Sequence, residues 1–195
     1  MKLIIEKSGT KESLIAGCLK KQRQAQQELY DWLAPKMLGL CRRYIHDHNE
    51  AESVMIAGFI KVFDKIEQFS GDGNFEGWVR RIMVNESLLY IRKHKNMYIE
   101  VDIEYADRKP DYNLASTNLE VDELVKLINN LPIGYRTVFN MYAIEGYSHK
   151  EIAKTLNISE NTSKSQLSRA RKMLQVQLLK KENLWEEKSR RDGKA

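Results

Sequence analysis

Residues 148–172, SHKEIAKTLNISENTSKSQLSRARK, constrain the fold of this chain more than any other stretch, because their start, stop and phase signals all agree. Ser148 has Glu151 three residues later, the spacing at which the two side chains can each satisfy an orphan backbone N–H at a helix start. Ile152, Ala153 and Leu156 then share one apolar face. Asn157 stands where the chain must turn, and asparagine tolerates the left-handed backbone better than most residues that carry a Cβ. Ser159 is placed to cap the next helix. On that second helix Leu167, Ala170 and Leu174 recur at helical spacing, which leaves Lys164, Ser165, Ser168, Arg169, Arg171 and Lys172 for the outside.

Two short capped helices joined by a tight turn, the second one basic, form a helix-turn-helix. Such a second helix presents its N-terminal half to base edges in the major groove of DNA. A basic helix face taken alone is usually only solvated; here Ala153, Asn157, Ile158 and the second cap all support the same geometry. The motif implies DNA binding without saying what the binding is for.

The rest of the chain bounds the answer. Its 195 residues allow one or two domains, and an apolar content of 42% is enough for ordinary cores. No run of about 18 apolar residues could span a bilayer, so no direct membrane insertion is expected. The start, MKLIIEKSGTKESL, is not a secretory signal. Two cysteines, Cys18 and Cys41, make no disulfide framework, which suits a reducing cytoplasm. Cys41, His46 and His48 lack a fourth ligand at finger spacing and read as a buried thiol and two surface histidines, so no metal or other cofactor is expected. Counted by segment, residues 1–19 carry 3 basic and 2 acidic groups, 20–95 carry 13 and 10, 96–123 carry 2 and 8, and 124–195 carry 14 and 7. Two basic blocks separated by an acidic one suggest two nucleic-acid-facing modules joined by a segment that avoids nucleic acid or imitates it.

The pattern predicts an all-α fold with two domains of four helices each. In residues 1–95, a helical run over 12–33 is expected to break near Lys20 to Arg23, and Pro35 fits the first turn of another helix. A further helix from about Glu50 to Gln68 is expected to bury the stripe Ile56, Phe59, Ile60, Phe63 and Ile66. Ser70-Gly71-Asp72-Gly73-Asn74 must be a loop. The helix after it should bury Phe75, Trp78, Val79, Ile82, Met83 and Leu89 and expose Arg80, Arg81, Asn85, Arg92 and Lys93. Arg81, Asn85 and Arg92 fall in one narrow sector. Arginines and an asparagine on one side, behind an aromatic-rich start and a loop, suit single-stranded bases, although a salt-bridged solvent face explains them equally well.

Residues 96–119 lose the helical period and read as an acidic extended linker. In residues 120–180, Leu124, Leu127, Ile128 and Leu131 form a stripe ended by Pro132, and a helix from about Tyr135 to Glu145 stops at Gly146 before the opening motif. The tail, residues 181–195, is charged enough to fray.

The residues in this order resemble a known family. FIKVFDKIEQFSGDGNFEGWVRRIMVNESLLYIRKHK has a Phe-rich helix, a Gly-containing loop and a Phe-x-x-Trp helix with Asn85 seven residues after the Trp, and NTSKSQLSRARKML is close to GTVKSRLSRARKKL. Together they are similar to the extracytoplasmic-function sigma factors, the compact bacterial initiation factors of the sigma-70 family, over roughly residues 12–178. The resemblance implies a protein that binds core RNA polymerase, reads the upstream (minus 35) promoter element as duplex and melts and holds the downstream (minus 10) element as single strand. It puts Asn161, Lys164, Ser165, Gln166, Ser168, Arg169 and Arg171 on the upstream element. Asn74, Trp78, Arg80, Arg81, Asn85, Arg92 and Lys93, with the Ser70 to Asn74 loop, fall on the downstream one. Glu52, Ser53, Ile56 and Ala57 stand at the polymerase contact, an anti-sigma factor is a further implied partner, and the linker would thread a channel for nascent RNA, although a plain flexible tether fits its composition equally well.

The sequence departs from the family at that polymerase contact. An acidic and glutamine-bearing pattern is replaced by Glu52-Ser53-Val54-Met55-Ile56-Ala57, in which only Glu52 survives; either the contact is more apolar here, with Met55 or Ile56 partly exposed, or binding leans on neighbouring residues. Asn161, Ser163 and Gln166 replace common Gly, Val and Arg and should change the upstream sequence read, since Asn and Gln pair well with adenine edges. An autonomous helix-turn-helix regulator would explain residues 120–178 alone and leave the Phe75 to Lys95 helix without a role. A nuclease or recombinase would need clustered carboxylates, a metal set or a nucleophile beside a base, and none is visible, so no enzyme is expected.

Overall fold

The computed structural model describes residues 11–71, 73–94 and 119–192, with side chains for all of these but 119–122 and 181–192. Among the described residues there are helices and turns and no strand. The chain divides into two compact units with the boundary between Lys93 and His94.

The first unit holds α1 (Lys11–Leu19), α2 (Arg23–Tyr44), α3 (His48–Lys65) with a 3-10 turn at Ile66–Gln68, and α4 (Phe75–Lys93). The chain breaks after α1 as expected, with Lys21 in the left-handed region at φ 55°. Asp47 caps α3 by accepting a hydrogen bond from the Glu50 N–H at 2.9 Å. Leu29, Leu33, Met37, Leu40, Cys41 and Tyr44 of α2 pack with Val54, Met55, Phe59 and Val62 of α3 and Val79, Met83, Val84 and Leu88 of α4, all of them buried. Gly58 lets α3 and α4 approach closely. A Cβ built there would lie 2.3 Å from Met83 Sδ.

Three expectations about this unit change. Pro35 does not open a helix; it lies inside α2, which runs unbroken from Arg23 to Tyr44. A proline inside a helix costs about 3 kcal/mol, and the continuous buried stripe from Leu29 to Tyr44 outweighs it. On α3 the buried face is Ala51, Val54, Met55, Gly58, Phe59 and Val62, while Ile56 and Ile60 are 45% and 58% exposed. The stripe is thus turned by about one residue step, 100°, from the expected phase. The small Ala51 and Gly58 bring α3 close to its neighbours, and the surplus isoleucines are left outside. On α4, Val84 and Leu88 are buried where Leu89 was expected, and Leu89 is 38% exposed.

Cys41 sits in this core beside Ser87, and burial pushes its thiol up to about 11. His46 and His48 are exposed. Among the described residues no group of histidines, cysteines and carboxylates is placed to hold a metal ion.

The second unit holds α5 (Leu119–Asn129), α6 (Ile133–Phe139) running into a π-turn at Asn140–Ile144, α7 (His149–Leu156) and α8 (Glu160–Asp192). Leu119 therefore already belongs to a helix, and the rest of the expected linker lies outside the described residues. Leu131, Val138, Met141, Ile152, Leu167 and Ala170 form the core. Leu127 and Ile128 are half-buried, whereas Leu124 is 51% exposed. Arg136, itself buried, donates from Nη1 to the Asn129 carbonyl at 2.9 Å and so closes the end of α5. Gly146 adopts φ 78° and turns the chain toward α7. The charged tail expected to fray continues as helix to Asp192. Good helix formers fill it, and no glycine or proline interrupts it before Gly193.

Candidate nucleic-acid interfaces

On the second unit the local signals build the expected geometry. The Glu151 N–H donates to Ser148 Oγ at 3.2 Å and the Ser148 N–H to Glu151 Oε2 at 2.8 Å, a complete capping box. Asn157 ends α7 in the left-handed conformation, φ 55° and ψ 50°. Ser159 Oγ accepts from the Thr162 N–H at 2.9 Å and starts α8.

A contact invisible in local sequence then locks α7 to α8. His149 Nδ1 lies 2.9 Å from Oγ of the fully buried Ser163, and the His149 ring stacks on Tyr142 with centroids 4.4 Å apart. Ser163 therefore fastens the two helices and does not face outward, contrary to the expectation that it changes base reading. Its only sequence signal is a small polar residue at a buried helical phase.

Asn161, Lys164, Ser165 and Ser168 are exposed on α8 and share one outward strip, which Lys172 extends. Arg169 and Arg171 stand on the two edges of that strip, each steadied by a tyrosine. Arg169 Nη1 donates to Tyr135 Oη at 3.2 Å, and the Arg171 guanidinium lies 5.8 Å from the Tyr142 ring centroid. Gln166 lies off the strip, half-buried, with Nε2 3.4 Å from where a Gly134 side chain would begin. Small polar groups and a lysine are thus presented along the middle and guanidinium groups along the margins. That suits base contact in the centre and phosphate contact at the rim.

On the first unit Phe69, Phe75 and Trp78 form an aromatic cluster, with centroids 5.1 Å, 5.8 Å and 5.6 Å apart for the three pairs. The loop leading into it is shaped by two left-handed glycines, Gly71 at φ 81° and Gly73 at φ 101°. Asn74 Oδ1 accepts from the Glu76 N–H at 3.0 Å, so its side chain caps α4. Arg81, Asn85, Arg92 and Lys93 are exposed, Trp78 is half-buried, and Arg80 is half-buried on the packed side. Trp78, Arg81, Asn85, Leu89 and Arg92 follow one another on a single face of α4. The exposed Leu89 in this row was expected in the core.

The outer face of α3 in the same unit presents Glu52, Ser53, Ile56 and Ala57, continued by Ile60. Met55, one of two residues expected to show there, is only 2% exposed; Ile56 is the one that does. A 2.6 Å ion pair, Lys61 to Glu86, joins α3 to α4, and a 2.8 Å pair, Lys36 to Glu76, joins α2 to α4. No described helix is long and apolar enough to cross a membrane.

The family described as sigma-70 region 2 matches residues 29–97, and that described as sigma-70, region 4 matches residues 122–174. The ECF RNA polymerase sigma-E factor of Haemophilus influenzae is 27% identical over 179 residues, 85% of this chain and 94% of that protein. The ECF RNA polymerase sigma factor SigW of Bacillus subtilis is 29% identical over 183 residues, 86% and 98% of the two chains. Among solved structures, the sigma factor RpoE from Bartonella quintana, in complex with the anti-sigma factor NepR, shares the fold with a TM-score of 0.53 and 22% identity, over 79% of this chain and 96% of that one. The two family matches fall on the two helical units that carry the candidate interfaces, and the chain belongs to the extracytoplasmic-function group of the sigma-70 family.

Proposed function

We propose that this chain is an RNA polymerase sigma factor that directs initiation from specific promoters, with a role of binding and positioning rather than catalysis. The single observation that carries the reading is the outward strip of α8. Asn161, Lys164, Ser165 and Ser168 project together from a helix whose orientation is set by two caps and by the His149 to Ser163 contact. That strip reads the upstream element, with Arg169 and Arg171 held at its edges for phosphates.

The first unit handles the downstream element. Its loop is preshaped by Gly71 and Gly73 and stands beside the Phe69, Phe75 and Trp78 cluster, a surface on which an unstacked base can rest. Arg81, Asn85 and Arg92 carry the separated strand along α4. Core polymerase docks on Glu52, Ser53, Ile56 and Ala57 of α3, where Ile56 and Ile60 make the contact more apolar than the family pattern. An anti-sigma factor is a further partner, and the site of action is the cytoplasm. The domain assignment follows: residues 1–95 for polymerase and the downstream element, 96–118 as linker, and, with Leu119 moved into α5, 119–180 for the upstream element.

Transcription by core polymerase from a randomised promoter pool tests this reading. Specific start sites sharing an upstream and a downstream element are expected. Duplex binding without polymerase binding would refute it and favour the autonomous helix-turn-helix regulator.

A further inference from the structure

A cleft on the second unit shares Arg169 and Lys172 with that reading, but its apolar floor takes no part in it. It runs along α8 beside the start of α6, has a volume of about 440 Å³ and is lined by Tyr135, Arg169, Lys172, Met173, Val176 and Gln177. That size falls within the range of ligand clefts, about 300–1,000 Å³. Met173 and Val176 make an apolar floor, with Val176 44% exposed, and Leu179, at 58%, prolongs it. The cleft surface is almost all apolar, and the two charged residues that border it, Arg169 and Lys172, are both cations. Such a cleft is complementary to an occupant that is apolar on one side and acidic on the other.

The chain itself carries such a segment. Residues 99–105 read Ile-Glu-Val-Asp-Ile-Glu-Tyr, a strict alternation. In extended conformation residues two apart share a side, so Ile99, Val101, Ile103 and Tyr105 make an apolar edge and Glu100, Asp102 and Glu104 an acidic one. A tether that only needed to be soluble and acidic would not alternate in this way. The chain from Ile103 to the start of α5 at Leu119 extends to roughly 50 Å, about the length of α8 itself, so the segment reaches the cleft. Being joined to the cleft, it competes there at an effective concentration of about a millimolar.

We infer that the cleft is the docking site of the chain's own residues 99–105, apolar edge on Met173 and Val176 and carboxylates to Arg169 and Lys172. One consequence rests on the reading of α8 as a DNA-facing helix: Arg169 and Lys172 serve either the segment or DNA phosphates, so the docked segment weakens binding to duplex DNA.

The experiment uses the full chain with a photoreactive benzoylphenylalanine in place of Ile103. Irradiation should give an intramolecular cross-link to Met173 or Val176, lost on Met173→Asp in a variant whose circular dichroism is unchanged. Separately, Val101→Ser with Ile103→Ser alters no charge and should tighten binding to a random-sequence duplex about tenfold, the ratio for a site filled in roughly nine molecules of ten. Cross-links that map elsewhere, survive Met173→Asp or join two molecules would overturn the inference, and so would unchanged DNA affinity. Promoter-directed transcription with core polymerase is read independently. Its failure beside an intact cross-link would remove the sigma-factor reading and leave the docking site standing.

Discussion

Gly58→Ala tests whether the α3 and α4 crossing sets the two functional faces of the first unit. The new Cβ would meet Met83 Sδ at 2.3 Å and Cε at 3.0 Å, with Cγ at 3.8 Å. Ordinary carbon contacts sit near 3.5–4.0 Å, so the thioether must yield by roughly 1 Å or more. Met83 is fully buried, so it can move only at the expense of its neighbours in the core. Overpacking of this kind costs about 1–3 kcal/mol, against about 1 kcal/mol gained from alanine over glycine inside a helix. The net expectation is a loss of about 1 kcal/mol in urea unfolding of the full chain. Trp32 and Trp78 report it by fluorescence, with Trp185→Phe to silence the second unit. In a Met83→Ala background the clash is gone, and the same substitution should stabilise by about 1 kcal/mol, so the two sites couple by about 2 kcal/mol. Additive effects, or Gly58→Ala stabilising the parent chain, would refute the close-approach account.

Four further outcomes follow from the structure. Lys164→Ala with Arg169→Ala should weaken promoter use more than tenfold while co-purification with core polymerase is retained, since each good base or phosphate contact is worth about 1–3 kcal/mol. Arg81→Ala with Asn85→Ala should leave duplex binding unchanged but slow promoter opening, read by permanganate reactivity of unpaired thymines. Ile56→Glu with Ile60→Glu should reduce polymerase binding with little change in melting temperature, because both side chains are already about half in water. The Cys41 thiol is raised from 9.0 to about 11 in the fold, so between those values the unfolded chain releases a proton that the folded one keeps. That contribution is fully present below pH 9 and is lost as pH rises through 11, a decline on the order of 3 kcal/mol at most, which Cys41→Ala should remove from the stability profile.

What could be read in advance follows the range of the interactions. Ser148 with Glu151, Asn157 and Ser159 with Thr162 all act within three or four residues, so both helices of the motif and the turn between them were legible. Asn161, Lys164, Ser165 and Ser168 were legible too, because a capped helix fixes its own periodicity. That Arg169 and Arg171 face outward was legible as well, but how their guanidinium groups are held was not, since each meets a tyrosine about 30 residues away. Likewise Ser163 faces inward because His149 meets it across the turn. On α3 the sequence offers more apolar residues than one face can bury, and periodicity alone favoured the sector of Ile56 and Ile60. Packing decided otherwise: α2 and α4 close over the sector where Ala51 and Gly58 permit the nearest approach, leaving the isoleucines exposed. Pro35 shows the same ordering of strengths, since a local breaking preference of about 3 kcal/mol lost to the burial of one continuous stripe. The amino-acid sequence by itself determined the two helices of the motif, their caps and the basic face of α8, because those depend on neighbours along the chain. Which apolar face is buried, and which cations stand free or are steadied by a ring, only the tertiary structure decided, because those depend on which helices share a core.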